Sequence, residues 1–88
     1  MIQVNEGSSE YLHIVFKRNG VAQTVLQYVV VEDQQDYDDG TPLTATVIDG
    51  KPYAITDPTL VKGIYKVIAN FASNPENVIK TVGFFEVV

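Results

Sequence analysis

Chemistry needs titratable groups held close together, and this chain has one dense set of them. Glu32, Asp33, Asp36, Asp38 and Asp39 fall within the stretch "VVVEDQQDYDDGTPL". Such a run suits a metal site, a pair of catalytic carboxylates or a solvated loop. An EF-hand loop needs acids at its first, third and fifth positions, glycine at the sixth and glutamate at the twelfth. Counted from Asp36, the third is Asp38, but the fifth is Gly40 and the twelfth Val47, so the pattern fails. Calcium also accepts carboxylates and carbonyls from irregular loops. If it binds here, Asp33, Asp36, Asp38 and Asp39 are the candidate ligands. A glycosidase-type pair needs two carboxyls at a fixed separation across a cleft, one with its pKa raised by burial. Asp38 and Asp39 on an extended backbone point to opposite sides. The expectation is therefore a self-repelling, hydrated connection between strands, with Tyr37 as a contact residue in its midst.

The remaining candidates offer less. His13 is the single histidine. Ser9 lies four residues before it, roughly 13 Å along a strand, beyond the reach of a nucleophile–base pair. With one histidine and no cysteine, a zinc site is short of ligands. No phosphate-binding glycine loop, dinucleotide fingerprint or G-x-S-x-G elbow occurs. These residues predict no enzyme and no cofactor beyond calcium.

The elements that would position such groups are strands. Alternation dominates the chain. In "YLHIVFK", Leu12, Ile14 and Phe16 share one face. Asn19-Gly20 follows, a strong signal for a tight hairpin. The return stretch "VAQTVLQYVVVE" puts Ala22, Thr24, Leu26, Tyr28 and Val30 on one side, with a bend or bulge able to split it. Asp49-Gly50 marks a second hairpin, and Pro52 places its strand at a sheet edge. In "GIYKVIANF", Tyr65, Val67, Ala69 and Phe71 alternate with Ile64, Lys66, Ile68 and Asn70. "ASNPEN" is a third reversal. In the closing "VIKTVGFFEVV", a bulge at Gly83 decides which phenylalanine faces inward. About seven strands and no clean helical period predict an all-β fold: a single antiparallel β-sandwich domain over 1–88. Its expected core is Leu12, Ile14, Phe16, Leu26, Val67 and Phe71. The expected interface residues are Tyr37, Tyr11, Tyr53 and Phe84.

Totals bound the partners. Eighty-eight residues make one small domain, and 45% hydrophobic against 19% charged residues is a globular composition. The net charge of −5 comes from the acidic stretch; the other acids and bases balance at six each. A local acidic patch predicts no nucleic acid partner and no anionic membrane surface. No run of apolar residues is long enough for a membrane helix, and the start lacks the layout of a secretory signal. Read with Met1 as its start, the chain is expected to fold in the cytoplasm.

"KGIYKVIANFASNPENVIKTVGFFEVV" resembles the last hairpin of immunoglobulin-like sandwiches, where Gly-x-Tyr-x-(Cys or Val)-x-Ala leads into a closing apolar strand. Gly63, Tyr65, Val67 and Ala69 hold those places. The resemblance implies that the Tyr65 hydroxyl turns back onto the preceding corner. Val61 stands where an acid often precedes the glycine, and the core tryptophan and disulfide are missing. "VFKRNGVA" and "TVGFFEVV" are also similar to small sandwich domains of tailed bacteriophages, of baseplate and capsid-decoration type. Their common Asp-Leu-Thr-Gly stretch is absent. This likeness implies an immunoglobulin-like virion module of a capsid, neck or tail. Its partners would be other virion proteins or copies of itself, and it would be assembled in the host cytoplasm. The alternative is an immunoglobulin-like domain of a bacterial surface adhesin, with calcium at residues 32–39.

Overall fold

The computed structural model describes residues 1–73 and 76–88. The described residues are all-β, with one 3-10 turn at Tyr37–Asp39 and no α-helix. The strands are β1 (Ile2–Val4), β2 (Tyr11–His13), β3 (Lys17–Arg18), β4 (Val21–Ala22), β5 (Thr24–Glu32), β6 (Thr46–Ile48), β7 (Lys51–Ile55), β8 (Gly63–Ser73) and β9 (Glu76–Val87). Both short turns form where Asn-Gly and Asp-Gly predict them. Asn19 and Gly20 have φ of 52° and 78°, and Asp49 and Gly50 have 51° and 75°. Two successive left-handed residues match the twist of a hairpin, and these residue types tolerate them. The expected reversal in "ASNPEN" falls on residues 74 and 75, which lie outside the described residues.

Four strands form one sheet in the order β1-β9-β8-β5, three form a second in the order β2-β7-β6, and β3 pairs with β4 as a ribbon. An apolar cluster draws on both larger sheets, as a β-sandwich requires. The expectation of a purely antiparallel fold is corrected by β1, which runs parallel to β9 with Val4 beside Val87. Its three residues are too few for alternation to reveal. The edge placement of Pro52 is also corrected, because β7 lies between β2 and β6. Pro52 accepts the Ile14 amide through its carbonyl at 3.0 Å but has no N–H to return. β2 stops at His13, so the proline costs the ladder little.

Two bulges set which side chains reach the core. In β5 the register jumps between Val25, opposite Phe71, and Gln27, opposite Asn70. Leu26 is the inserted residue and is exposed. This overturns its expected core position: the bulge sends Val25, Tyr28 and Val30 inward together. In β9 the jump falls between Thr81, opposite Ile68, and Gly83, opposite Val67, which leaves Val82 inserted. Phe85 is thereby fully buried, stacked on Tyr65 at 5.6 Å, while Phe84 faces out. Leu12, Ile14, Phe16, Val67 and Phe71 all join the core, and Phe16 meets Phe71 at 5.0 Å between ring centres.

Three hydrogen bonds tie the layers and loops. The hydroxyl of buried Tyr28 accepts the Ile55 amide at 3.1 Å, linking β5 to β7 across the core. Thr56, also buried, accepts the Glu10 amide on its hydroxyl at 2.9 Å. The Tyr65 hydroxyl donates to the Val61 carbonyl at 2.8 Å, which fixes the corner before β8. Each such bond contributes about 1 kcal/mol net and leaves a costlier orphan if broken.

Candidate functional site

The outer face of the four-stranded sheet is divided into a covered and an open half. Val29, Val31 and Ile68 project there, away from the main core, and are nonetheless buried. They are covered by the acidic segment itself, whose Tyr37 packs on them. The segment is anchored at its start by the Asp33 amide donating to Ile64 (3.1 Å) and the Gln35 amide donating to Glu32 (2.9 Å). Within it the Asp36 amide donates to the Asp39 carboxylate at 2.7 Å, and the Asp39 amide to the Asp36 carbonyl at 3.0 Å. It leaves through Gly40, whose backbone lies so close to the sheet that a Cβ would stand 2.7 Å from Val29 Cβ and 2.8 Å from Val31 Cγ1. Leu43 then exchanges two backbone bonds with Tyr28, of 2.9 and 2.8 Å, and shields that stretch of the β5 edge. The stretch expected to be a hydrated connection is therefore a flap, and Tyr37 is half-buried against its own sheet.

The open half belongs to β8 and β9. Ile64, Lys66 and Asn70 of β8 pair with Glu86, Phe84 and Ile79 of β9. Paired residues share a face, so Phe84 (46% exposed), Ile79 (54%) and Ile64 (43%) form an uncovered apolar strip beside Lys66. A groove of about 380 Å³ runs between this strip and the flap. Asp36, Tyr37 and Asp38 form one side, Lys66, Ile68 and Thr81 the floor, and Ile79 the other side. Its polarity is mixed: acids on the wall, one ammonium on the floor, and aliphatic surface beyond. That composition suits a protein surface better than a small anion or a reacting carbonyl.

The other expected site residues lie apart. Tyr11 and Tyr53 meet on the second sheet at 6.1 Å between ring centres, and His13 lies against Tyr53 at 5.1 Å. Phe84 is on the first sheet, so the four interface residues are not one patch. Ser8 donates to the Asn5 carbonyl at 2.7 Å, within its own loop. The acids do not converge: among the described residues no three His, Asp or Glu side chains are grouped as metal ligands. Asp39, one of the candidate ligands, already serves the flap's backbone. Perturbed titration occurs elsewhere. Burial first, and the Glu32 carboxylate second, hold the Tyr65 phenol above its usual range. The amide and hydroxyl of Thr59 hold the exposed Asp57 carboxyl below its usual range. Both groups belong to the corner between β7 and β8. Ile64, Lys66 and Ile79 were missed by sequence reading, although their alternation with core residues marks them as one face.

No helix among the described residues is long and apolar enough to cross a membrane, which leaves β-strand spans unaddressed. No protein-family model, no curated protein and no solved structure matches this chain.

Proposed function

We propose that this chain is a non-enzymatic interaction module with an immunoglobulin-like sandwich, and that it works by packing against neighbouring subunits of an assembly. The fold part of the reading is supported by the order β1-β9-β8-β5 against β2-β7-β6, and by the Tyr65–Val61 corner bond. The observation that carries the function is the half-covered outer face. The chain spends its own flap on Val29, Val31 and Ile68, yet leaves Phe84, Ile79 and Ile64 bare beside them. An aromatic and two isoleucines around one lysine, rimmed by acids, have the make-up of an interface centre with a polar rim. Within this class a virion component of a tailed bacteriophage, on capsid, neck or tail, fits best. That choice rests on the resemblance of "VFKRNGVA" and "TVGFFEVV" to phage sandwich domains.

The test is incorporation. Purified particles from the source of this protein are examined by mass spectrometry, with wild-type chain and with Phe84→Glu. The chain should be present in stoichiometric amount, and the variant depleted at least ten-fold, because an anchor of this kind contributes roughly 2 kcal/mol or more. Absence of the wild-type chain from particles sinks the virion reading. Equal incorporation of the variant sinks the role of the open face.

A further inference from the structure

The two ends of the molecule carry opposite charge. β8 runs from one end, at Gly63, to the other, at Ser73, and the remaining pairings place the loops. The ribbon of β3 and β4 and the turn at Asp49-Gly50 lie at the Ser73 end, with the bases Lys17, Arg18 and Lys51 and the acid Asp49; Lys80 sits over Phe16 in the same half. The loops 5–10 and 56–62 and the end of β5 lie at the Gly63 end, with Glu6, Glu10, Glu32, Asp33 and Asp57. Each end also has an apolar feature. At the basic end a groove of about 360 Å³ is lined by Ala22, Val25, Ala45, Val47 and Pro52. Val47 is 67% exposed on its rim. Lys17 pairs with Ala22 and so shares the face that borders the groove, whereas Lys51, next to Pro52 on its strand, belongs to the opposite face. At the acidic end Val61 is 65% exposed beside Glu32 and Asp33, with Lys62 next to it. Its loop is held in place by Tyr65 on the Val61 carbonyl and by the Asp57 carboxylate on the Thr59 amide, at 2.8 Å each.

We infer that the occupant of the basic-end groove is a second copy of this chain, which inserts its Val61 corner and sets Glu32 and Asp33 against Lys17. A fixed knob loses little entropy on docking, and opposite charges set the register. The contact joins two different surfaces, so it is head-to-tail and repeats from copy to copy into a ring or a filament. This rests on the reading of the chain as an assembly module, but it uses surfaces separate from the open sheet face.

Sedimentation velocity from roughly 10 µM to 1 mM tests it, in the range where weak contacts of this kind associate. At ~20 mM salt the purified wild-type chain should pass beyond the dimer as concentration rises. At ~500 mM salt association should weaken at least ten-fold, because the Debye length falls to a few Å. V47D disables the groove and V61D the knob; both positions are exposed, so folding is spared. Each variant alone should stay monomeric, and an equimolar mixture should stop at a heterodimer, since one intact knob meets one intact groove. Phe84→Glu should associate like wild type, whatever its incorporation into particles. A wild-type chain that stays monomeric at low salt overturns the inference. So does a mixture that forms no dimer, or association abolished by Phe84→Glu and untouched by V47D and V61D.

Discussion

Gly40→Ala is a direct test of whether the acidic segment is a packed flap. The glycine has φ of −105°, a value any residue adopts, so backbone strain does not enter. What enters is space. The new methyl would stand 2.7 Å from Val29 Cβ, 2.8 Å from Val31 Cγ1 and 3.2 Å from Val29 Cγ1. Neither valine can swing away, because both are buried and β-branched side chains are stiff at χ1. The flap must lift or the strand must bend. Overpacking of this kind costs about 1–3 kcal/mol. Replacing glycine also removes freedom from the unfolded chain, a gain of about 0.4–1 kcal/mol. The net expectation is a loss of roughly 1–2 kcal/mol, or a melting midpoint lower by about 4–16 °C for a domain of this size. Urea denaturation should show the same loss, and amide exchange should quicken at Asp39 and Gly40, whose N–H groups bond within the flap. If the flap were a hydrated loop, only the gain would survive. A variant as stable as the parent or more so, with unchanged exchange at those amides, refutes the packing argument.

Four other expectations follow from the same geometry. Phe71→Ala should cost about 3–5 kcal/mol, because the ring is fully buried and backed by Phe16; a midpoint within a degree or two of the parent would refute that placement. Tyr65 has a raised pKa, so its contribution is fully present below the usual phenol value near 10 and is lost as pH rises through the higher folded value. Alkaline denaturation should therefore show a slope of up to about 1.4 kcal/mol per pH unit that Tyr65→Phe removes; an identical slope in the variant would refute it. Asp36, Asp38 and Asp39 changed together to Asn should leave the fold intact by circular dichroism, since an amide oxygen can still accept the Asp36 amide; a collapsed triple variant would mean the flap depends on charge. Calcium and chelator should give the same melting midpoint, and a rise with calcium, through binding linkage, would restore the metal reading of residues 32–39.

How much of this was legible in the sequence depends on contact range. Alternation placed Leu12, Ile14, Phe16, Val67 and Phe71 inside, and put Tyr65 and Ala69 on the same face as the last two, because a period of two follows from backbone geometry alone. The Asn-Gly and Asp-Gly turns were equally local. Leu26 was misplaced because a bulge shifts phase by one residue, and nothing in "TVLQY" distinguishes a bulged strand from a regular one. β1 was invisible because three residues carry almost no pattern and their partner lies at the far end of the chain. Pro52 misled because its missing donor faces the point where β2 has already ended, a fact of tertiary pairing. At the candidate site, five acids drew attention to charge, while the flap is held by Tyr37 and by the bare Cα of Gly40. Close approach of backbone to sheet leaves no mark in sequence except a glycine, and glycines have many other uses.

The single unpaired residue in β9 acts like a frameshift written into a strand. Upstream of Val82 one parity of residue number faces the core, and downstream the other does. Pairing, more than hydrophobicity, thus decides which of two adjacent identical rings is structural and which is available to a partner. Losing Val82 itself would leave Thr81 opposite Ile68 and Gly83 opposite Val67 in one regular ladder, with Phe85 still against Tyr65 and Phe84 still outside. The facing of the two rings is therefore set by their pairing with β8 and not by their distance along β9.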